Sequence, residues 1–241
     1  MKRGQFMYEG KAKILYSTDD PKLLWVYYKD DATAGNGAKK GTIEDKGVVN
    51  AKVSSAIFRY LEENGVPNHF VGFEGERDMI VQRMTMFHVE VVMRNVAAGS
   101  LVKRVGLEEG KHLRPPLLEL YLKDDALGDP LVNDEHLLLL EVATRDELEE
   151  IKTMARKVND LLIAYFAKRG ITLVDFKLEF GRPSEGGPIL LADEVSPDTC
   201  RLWDSRTGKK LDKDRFRQDL GGTEEAYQEV LSRTLGAEHE G

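Results

Sequence analysis

The segment Leu173-Val174-Asp175-Phe176-Lys177-Leu178-Glu179-Phe180-Gly181 alternates apolar and charged residues. Only a strand turns that period into two faces, because successive side chains of an extended chain point to opposite sides. Val174, Phe176, Leu178 and Phe180 then share a face that must be buried, and Asp175, Lys177 and Glu179 share the other. The charged face suits either a solvated sheet edge or the wall of a cleft. A second apolar run, Ile189 to Val195, carries Asp193 and Glu194 at its end, where burial without a partner is unfavourable. The turn-rich residues Gly181 to Pro188 join the two runs, which predicts a hairpin. Pairing brings Glu179 towards Asp193 or Glu194. Two close carboxylates repel unless a cation lies between them, and oxygen ligands suit magnesium.

The rest of the chain reads as α+β with two lobes. Strands are predicted at Ala12–Tyr16, Leu23–Tyr28, Met79–Met84 and Val89–Val96, with a Gly-rich charged loop from Asp30 to Gly47. Val49, Val53, Ala56, Ile57, Tyr60 and Leu61 recur at helical spacing up to Gly65. Ser100 is expected to cap a short helix ending near Gly106. Leu107 to Pro130 reads as irregular, with a strand at Leu118–Leu122. The clearest helix is Arg145–Arg169, with Thr144 and Glu147 forming a capping box. Two short helices, Lys213–Leu220 and Glu224–Leu235, close the chain.

Composition narrows the function. With 241 residues, 41% hydrophobic and 32% charged, the chain can bury a core without staples. A formal net charge of −7 gives no overall attraction to nucleic acid or anionic lipid, so neither is an expected partner. The single cysteine, Cys200, fits a small buried residue in a reducing, cytoplasmic compartment. No apolar run is long enough for a membrane span, and the basic start Met1-Lys2-Arg3 is not followed by the apolar stretch of a signal peptide. The five histidines lack zinc-site spacing.

Three further segments carry chemistry. Arg94, on the Glu90/Val92/Arg94 face of its strand, precedes Gly99-Ser100 at a helix start. That combination fits an anion site, or an ordinary ion pair and cap. Lys11 and Lys13 follow Gly10 at a strand entrance, either as a phosphate-contacting loop or as two solvated lysines; no Walker A motif occurs. Ser196-Pro197-Asp198-Thr199-Cys200-Arg201-Leu202-Trp203-Asp204 either returns Arg201 towards the strand ends or forms a surface turn anchored by Trp203.

Taken in order, these segments resemble the SAICAR synthetase family. The similarity runs from Tyr8-Glu9-Gly10-Lys11-Ala12-Lys13 to Leu211-Asp212-Lys213-Asp214-Arg215-Phe216-Arg217, and is most specific at Arg94 to Arg104, Leu173 to Gly181 and Ala192 to Asp204. The resemblance implies ligation of L-aspartate to the carboxylate of carboxyaminoimidazole ribotide (CAIR), with ATP split to ADP and phosphate. It implies a strand-rich, kinase-like lobe (residues 1–85) over an ATP-grasp-like lobe (residues 86–241), with ATP between them. Lys11, Lys13, Gln82, Met84 and Lys123 match the nucleotide side, and Glu179 and Asp193 the magnesium ligands. Arg94, Ser100 and Arg201 match the CAIR side, and Asp175 and Lys177 the reacting centre. A homodimer is the expected assembly. His88 departs from a frequent proline, and Asn36 from an aspartate found in some members. The competing classes are a non-catalytic nucleotide binder, a small-molecule kinase and, least of all, an RNA-binding module.

Overall fold

The structure, a computed structural model, describes residues 1–34 and 38–236. Asn36 lies outside them. The chain is mixed α and β, as its pattern predicts. Strands β1 (Arg3–Glu9), β2 (Lys13–Thr18) and β3 (Leu23–Tyr28) begin a five-stranded sheet, completed by β6 (Phe70–Glu74) and β7 (Asp78–Gln82) in the order β1-β2-β3-β7-β6. Between them lie a hairpin, β4 (Asp31–Ala34) and β5 (Lys39–Thr42), and helix α1 (Lys46–Glu63), which packs on β3. The described residues of the Asp30–Gly47 segment thus form β4, β5 and the start of α1 rather than one loop.

The second sheet is built on β8 (Met84–Val96), β9 (His112–Leu122), β10 (Leu131–Val132), β11 (Ile171–Pro183), β12 (Leu190–Ala192) and β13 (Cys200–Asp204). Its order is β10-β9-β8-β11-β12, with β13 also pairing β11. Helix α4 (Arg145–Ala167) covers one face through Leu148, Ile151, Ala155, Val158, Leu162 and Tyr165, all buried as their spacing requires. The Thr144–Glu147 capping box forms in both directions. Remaining helices are α2 (Ser100–Val105), α3 (Asp134–Leu139), α5 (Asp214–Arg217) and α6 (Thr223–Leu235), the last packed on α1.

The expected hairpin forms, with Glu179 opposite Ala192. Several expectations are corrected. Ser100 is the first helical residue of α2; Gly99, at φ +58°, holds the cap position. β9 runs through Pro115 and Pro116, far beyond Leu118–Leu122. The prolines are tolerated because β10 pairs only with Leu120 and Tyr121, leaving that stretch at the sheet edge. The segment at Trp203 is strand β13, not a surface turn. Val174 leaves the face of Phe176, Leu178 and Phe180 and packs with Val96, Ala98 and Trp203, because the β11–β13 register shifts between Leu173 and Asp175.

A buried charge cluster ties the elements together. Lys46, wholly buried at the start of α1, donates to Asp198 Oδ2 at 2.8 Å. Lys213 (3.3 Å) and the Tyr227 hydroxyl of α6 (2.5 Å) donate to the same carboxylate. These cations hold the Asp198 carboxyl well below the usual range against the opposing effect of burial. Replacing one partner of a buried pair strands the other's charge and costs about 3–5 kcal/mol. Lys46→Met is expected to lower unfolding free energy by about 3 kcal/mol, towards the lower end because Lys213 remains. Urea denaturation measures it, and a change under about 1 kcal/mol would remove the cluster from the fold's main supports.

Candidate active site

The two sheets face each other across a cleft of about 840 Å³. Its floor is the charged face of β11. Each of the residues singled out from sequence lines this cleft except Ser100, which sits at one end with its hydroxyl 3.4 Å from Arg94 Nη2.

Register sets the floor. Asp175 lies opposite Arg94 of β8 on one side and Arg201 of β13 on the other. Arg94 Nη1 donates to Asp175 Oδ2 at 2.8 Å, and Arg201 Nη1 donates to the same oxygen at 2.9 Å. Burial pushes the Asp175 carboxyl above its usual range, opposed by the two guanidiniums. Four residues along, Glu179 stands directly opposite Glu90, a like-charge pair that by itself is unfavourable. Lys177 resolves it, donating to Glu90 Oε1 at 2.8 Å and to Glu179 Oε1 at 2.7 Å. Lys123, just beyond β9, also donates to Glu179. These acids raise the Lys177 ammonium well above its ordinary value, although burial opposes them.

Asp193 and Glu194, between which the alternation left the choice open, both line the cleft. β12 ends at Ala192, and Asp193 takes a left-handed φ of +60°, which breaks the strand alternation. Lys13, at the head of β2, then donates to Asp193 Oδ1 at 2.5 Å and reaches Glu194 Oε1 at 2.9 Å. Lys13 and Lys177 hold the Asp193 carboxyl well below its usual range despite burial. Thus the carboxylates do approach one another, and the cations between them here are lysines. At the mouth, Lys11 donates to Asp125 Oδ1 at 2.6 Å, in the open.

Leu15, Leu24, Val26 and Val81 give one end of the cleft an apolar wall, with Gln82 and Met84 at its rim where β7 passes into β8. The backbone N–H of Gln82 donates to the carbonyl of His69 at 2.8 Å. The carbonyl of His88 accepts the Lys123 backbone N–H at 3.1 Å, a contact that a proline there would preserve. Oxygen donors suited to a hard cation, Glu179, Asp193 and Glu194, meet on this floor; among the described residues no set of three acids or histidines is already clustered as a metal cage. Glu179 and Asp193, both within reach of Lys177, are two such donors, and magnesium uses one or two carboxylates with phosphate and water.

Sequence reasoning missed Glu119, Asp198, Lys213, Asp214 and His69. Asp198, Lys213 and Asp214 lie inside quoted motifs, which was their local signal; Glu119 and His69 gain meaning from tertiary contacts. Cys200 is buried, and burial pushes its thiol up, as expected of an unreactive residue.

A family model described as SAICAR synthetase matches residues 6–234. The chain is similar to the phosphoribosylaminoimidazole-succinocarboxamide synthase of Fusobacterium nucleatum, with 56% identity over 97% of this chain and 98% of that one. It is 57% identical to the enzyme of the same name from Chloroherpeton thalassium, over 98% and 100% of the two chains. Among solved structures, the phosphoribosylaminoimidazole-succinocarboxamide synthase of Ehrlichia chaffeensis superposes with a TM-score of 0.94 at 42% identity, covering 97% and 99%. A SAICAR synthetase solved in complex with ADP gives 0.92 at 48% identity, covering 98% and 100%.

His69 makes the cleft wall pH-sensitive. It is buried with Nε2 unpartnered, packed edge-on to Phe58 at 5.2 Å between ring centres. Burial pushes its imidazole from the ordinary 6.5 down to about 4. As pH falls past about 6.5 the unfolded chain takes a proton that the folded chain refuses until about pH 4, so stability is lost across that window. Between pH 7 and pH 5 the loss from this group is about 2 kcal/mol. His69→Gln is expected to lack that share of the loss when urea unfolding is measured at both pH values. Parallel behaviour of the two proteins would show that His69 titrates normally.

Proposed function

Because the chain belongs to the SAICAR synthetase family, we propose that it joins L-aspartate to the carboxylate of CAIR, splitting ATP to ADP and phosphate. The observation that supports this most is the cleft floor: an anion-binding Arg94–Asp175–Arg201 row adjoins a lysine–carboxylate cluster, with an apolar wall beyond. One end suits a phosphomonoester, the middle a phosphoryl transfer, and the far end a nucleobase.

A carboxylate resists attack by an amine because it is already anionic. Transfer of the ATP γ-phosphoryl group to a CAIR carboxylate oxygen makes an acyl phosphate; the neutral amine of aspartate attacks its carbonyl, phosphate leaves, and the amine proton is released. In this reading Lys11, Lys13 and Lys123 contact the ATP phosphates, and Gln82 and Met84 border the adenine. Each lysine must exchange its present carboxylate for phosphate, so the nucleotide and a cation relieve each other's charge. Glu179 and Asp193, with Glu194 beside them, would hold magnesium, which when bound offsets the charge gathering on the phosphates. Lys177 neutralises the reacting carboxylate. Arg94, Ser100 and Arg201 fix the CAIR phosphate, so remote binding energy orients the reacting end. Asp175, held between two guanidiniums, orients them, and in this reading it is the candidate to take the amine proton.

In the same proposal residues 1–85 form a kinase-like lobe over the nucleotide and residues 86–241 an ATP-grasp-like lobe. The partners are small molecules. A homodimer and a cytoplasmic setting complete the reading; no helix of the described residues is long and apolar enough to cross a membrane.

ADP release, measured with ATP, CAIR, aspartate and magnesium and then with each omitted in turn, tests the reading. All four are expected to be needed, and the product to be the succinocarboxamide. Steady ATP turnover giving a product without the aspartyl group would favour a kinase instead. Glu179→Gln and Asp193→Asn are expected to lower turnover by orders of magnitude. Each variant frees lysines that now pair with the lost charge, so a lowered melting temperature, restored by magnesium-ATP in neither case, is the accompanying sign.

A further inference from the structure

Six ion pairs join seven side chains from six elements into one ladder of alternating charge. It runs Arg104, Glu119, Arg94, Asp175, Arg201, Asp214, Arg217. Glu119 Oε2 accepts from Arg94 Nε at 2.7 Å, and Asp214 Oδ2 accepts from Arg201 Nε at 2.7 Å. Both acids are buried. Their remaining oxygens are held by Arg104 and by Arg217 (2.7 Å), and the Tyr121 hydroxyl donates to Glu119 at 2.9 Å. Glu119 carried no signal in the sequence, and Asp214 only its place in the motif at residues 211–217.

The geometry divides labour. Each acid takes the Nε edge of its arginine, and Asp175 takes Nη1 of both. An arginine held on two sides keeps its guanidinium plane fixed, and its Nη2 is left for a ligand. Arg94 Nη2 has only long contacts, 3.2 Å to the Tyr121 hydroxyl and 3.4 Å to Ser100. Backbone shape enforces the other arginine. Gly99 sits over Arg201, and a Cβ there would lie 2.5 Å from Nη2 and 2.7 Å from the guanidinium carbon. At φ +58° the position also disfavours any side chain.

We propose that Glu119 and Asp214 are positioning residues that set Arg94 and Arg201 in the orientation that grips the phosphate of the phosphorylated substrate. This rests on the reading of that end of the cleft as the CAIR phosphate site. Four guanidiniums against three carboxylates leave the ladder one positive charge. Charge alone therefore says that removing an acid tightens binding of an anion. Positioning says the reverse, because the freed arginine spreads over many rotamers and the fixed fork is lost.

The sign decides. CAIR, ribose 5-phosphate and ATP are each titrated calorimetrically into wild type, Asp214→Ala, Asp214→Asn and Glu119→Gln. The proposal expects Asp214→Ala to weaken both phosphomonoesters about tenfold or more, with ATP affinity within about twofold. Asp214→Asn keeps an acceptor for Arg201 Nε and should recover most of that loss. In turnover, KM for CAIR rises and kcat falls with it, because the same grip orients the reacting end, while KM for ATP is little changed. If Asp214→Ala does not fold, Glu119→Gln at the other end of the ladder carries the same expectation in smaller measure. Tighter or unchanged phosphomonoester binding overturns the proposal, as does an equal loss for ATP. Wild type that binds ribose 5-phosphate but not CAIR overturns the functional reading and leaves the positioning claim to be judged on ribose 5-phosphate; wild type that binds neither overturns both.

Discussion

A shift of one residue in the pairing of β11 with β8 would turn Asp175, Lys177 and Glu179 into the face covered by α4 and set Phe176, Leu178 and Phe180 in the cleft. The burial of those three apolar residues is what forbids it. Each large buried apolar side chain is worth about 1.5–3 kcal/mol, so the core fixes the register and the register fixes the site. Lys177 between two glutamates then follows, and Asp175 comes to lie beside two arginines once the bulge between Leu173 and Asp175 sets it opposite Arg201.

The price of such a floor is many charges in little water. The chain meets it by alternation: acid beside base along the arginine ladder, and lysines threaded among the acids of the neighbouring cluster. Unpaired, any of these groups would shift its protonation or destabilise the fold. Paired, they remain exchangeable, because a phosphate group competes for the same lysines and a hard cation for the same carboxylates. The resting contacts thus resemble the partners that the proposed reaction brings, with lysines standing among the acids and acids among the arginines.

How much of this was readable from sequence depends on the range of the interaction. The α4 helix and its cap were legible because spacing and capping are local: six apolar positions and Thr144–Glu147 specify it alone. The alternation of β11 was legible down to the residue, except at Val174, where pairing with β13 adds a bulge that no local pattern announces. Strand β9 was cut short because Pro115 and Pro116 usually end strands, and only the sheet order shows that their stretch lies at an edge. The lysine–acid pairs were hidden for the same reason. Lys13 and Asp193 are far apart in the chain, and charge type says nothing about which partner is met. The left-handed turn at Asp193, which brings Glu194 to Lys13 as well, was likewise invisible to a periodic reading.

The proposed reaction activates a carboxylate by phosphorylating it and then captures it with an amine. Transfer of oxygen tests that most directly. CAIR labelled with ¹⁸O in its carboxylate is turned over with ATP and unlabelled aspartate in ordinary water, and the phosphate is examined by mass spectrometry. The account predicts phosphate carrying one ¹⁸O, with the other retained in the amide carbonyl of the product. Unlabelled phosphate accompanying amide formation would contradict it, because the carboxylate oxygen would then have left by a route other than the phosphoryl group.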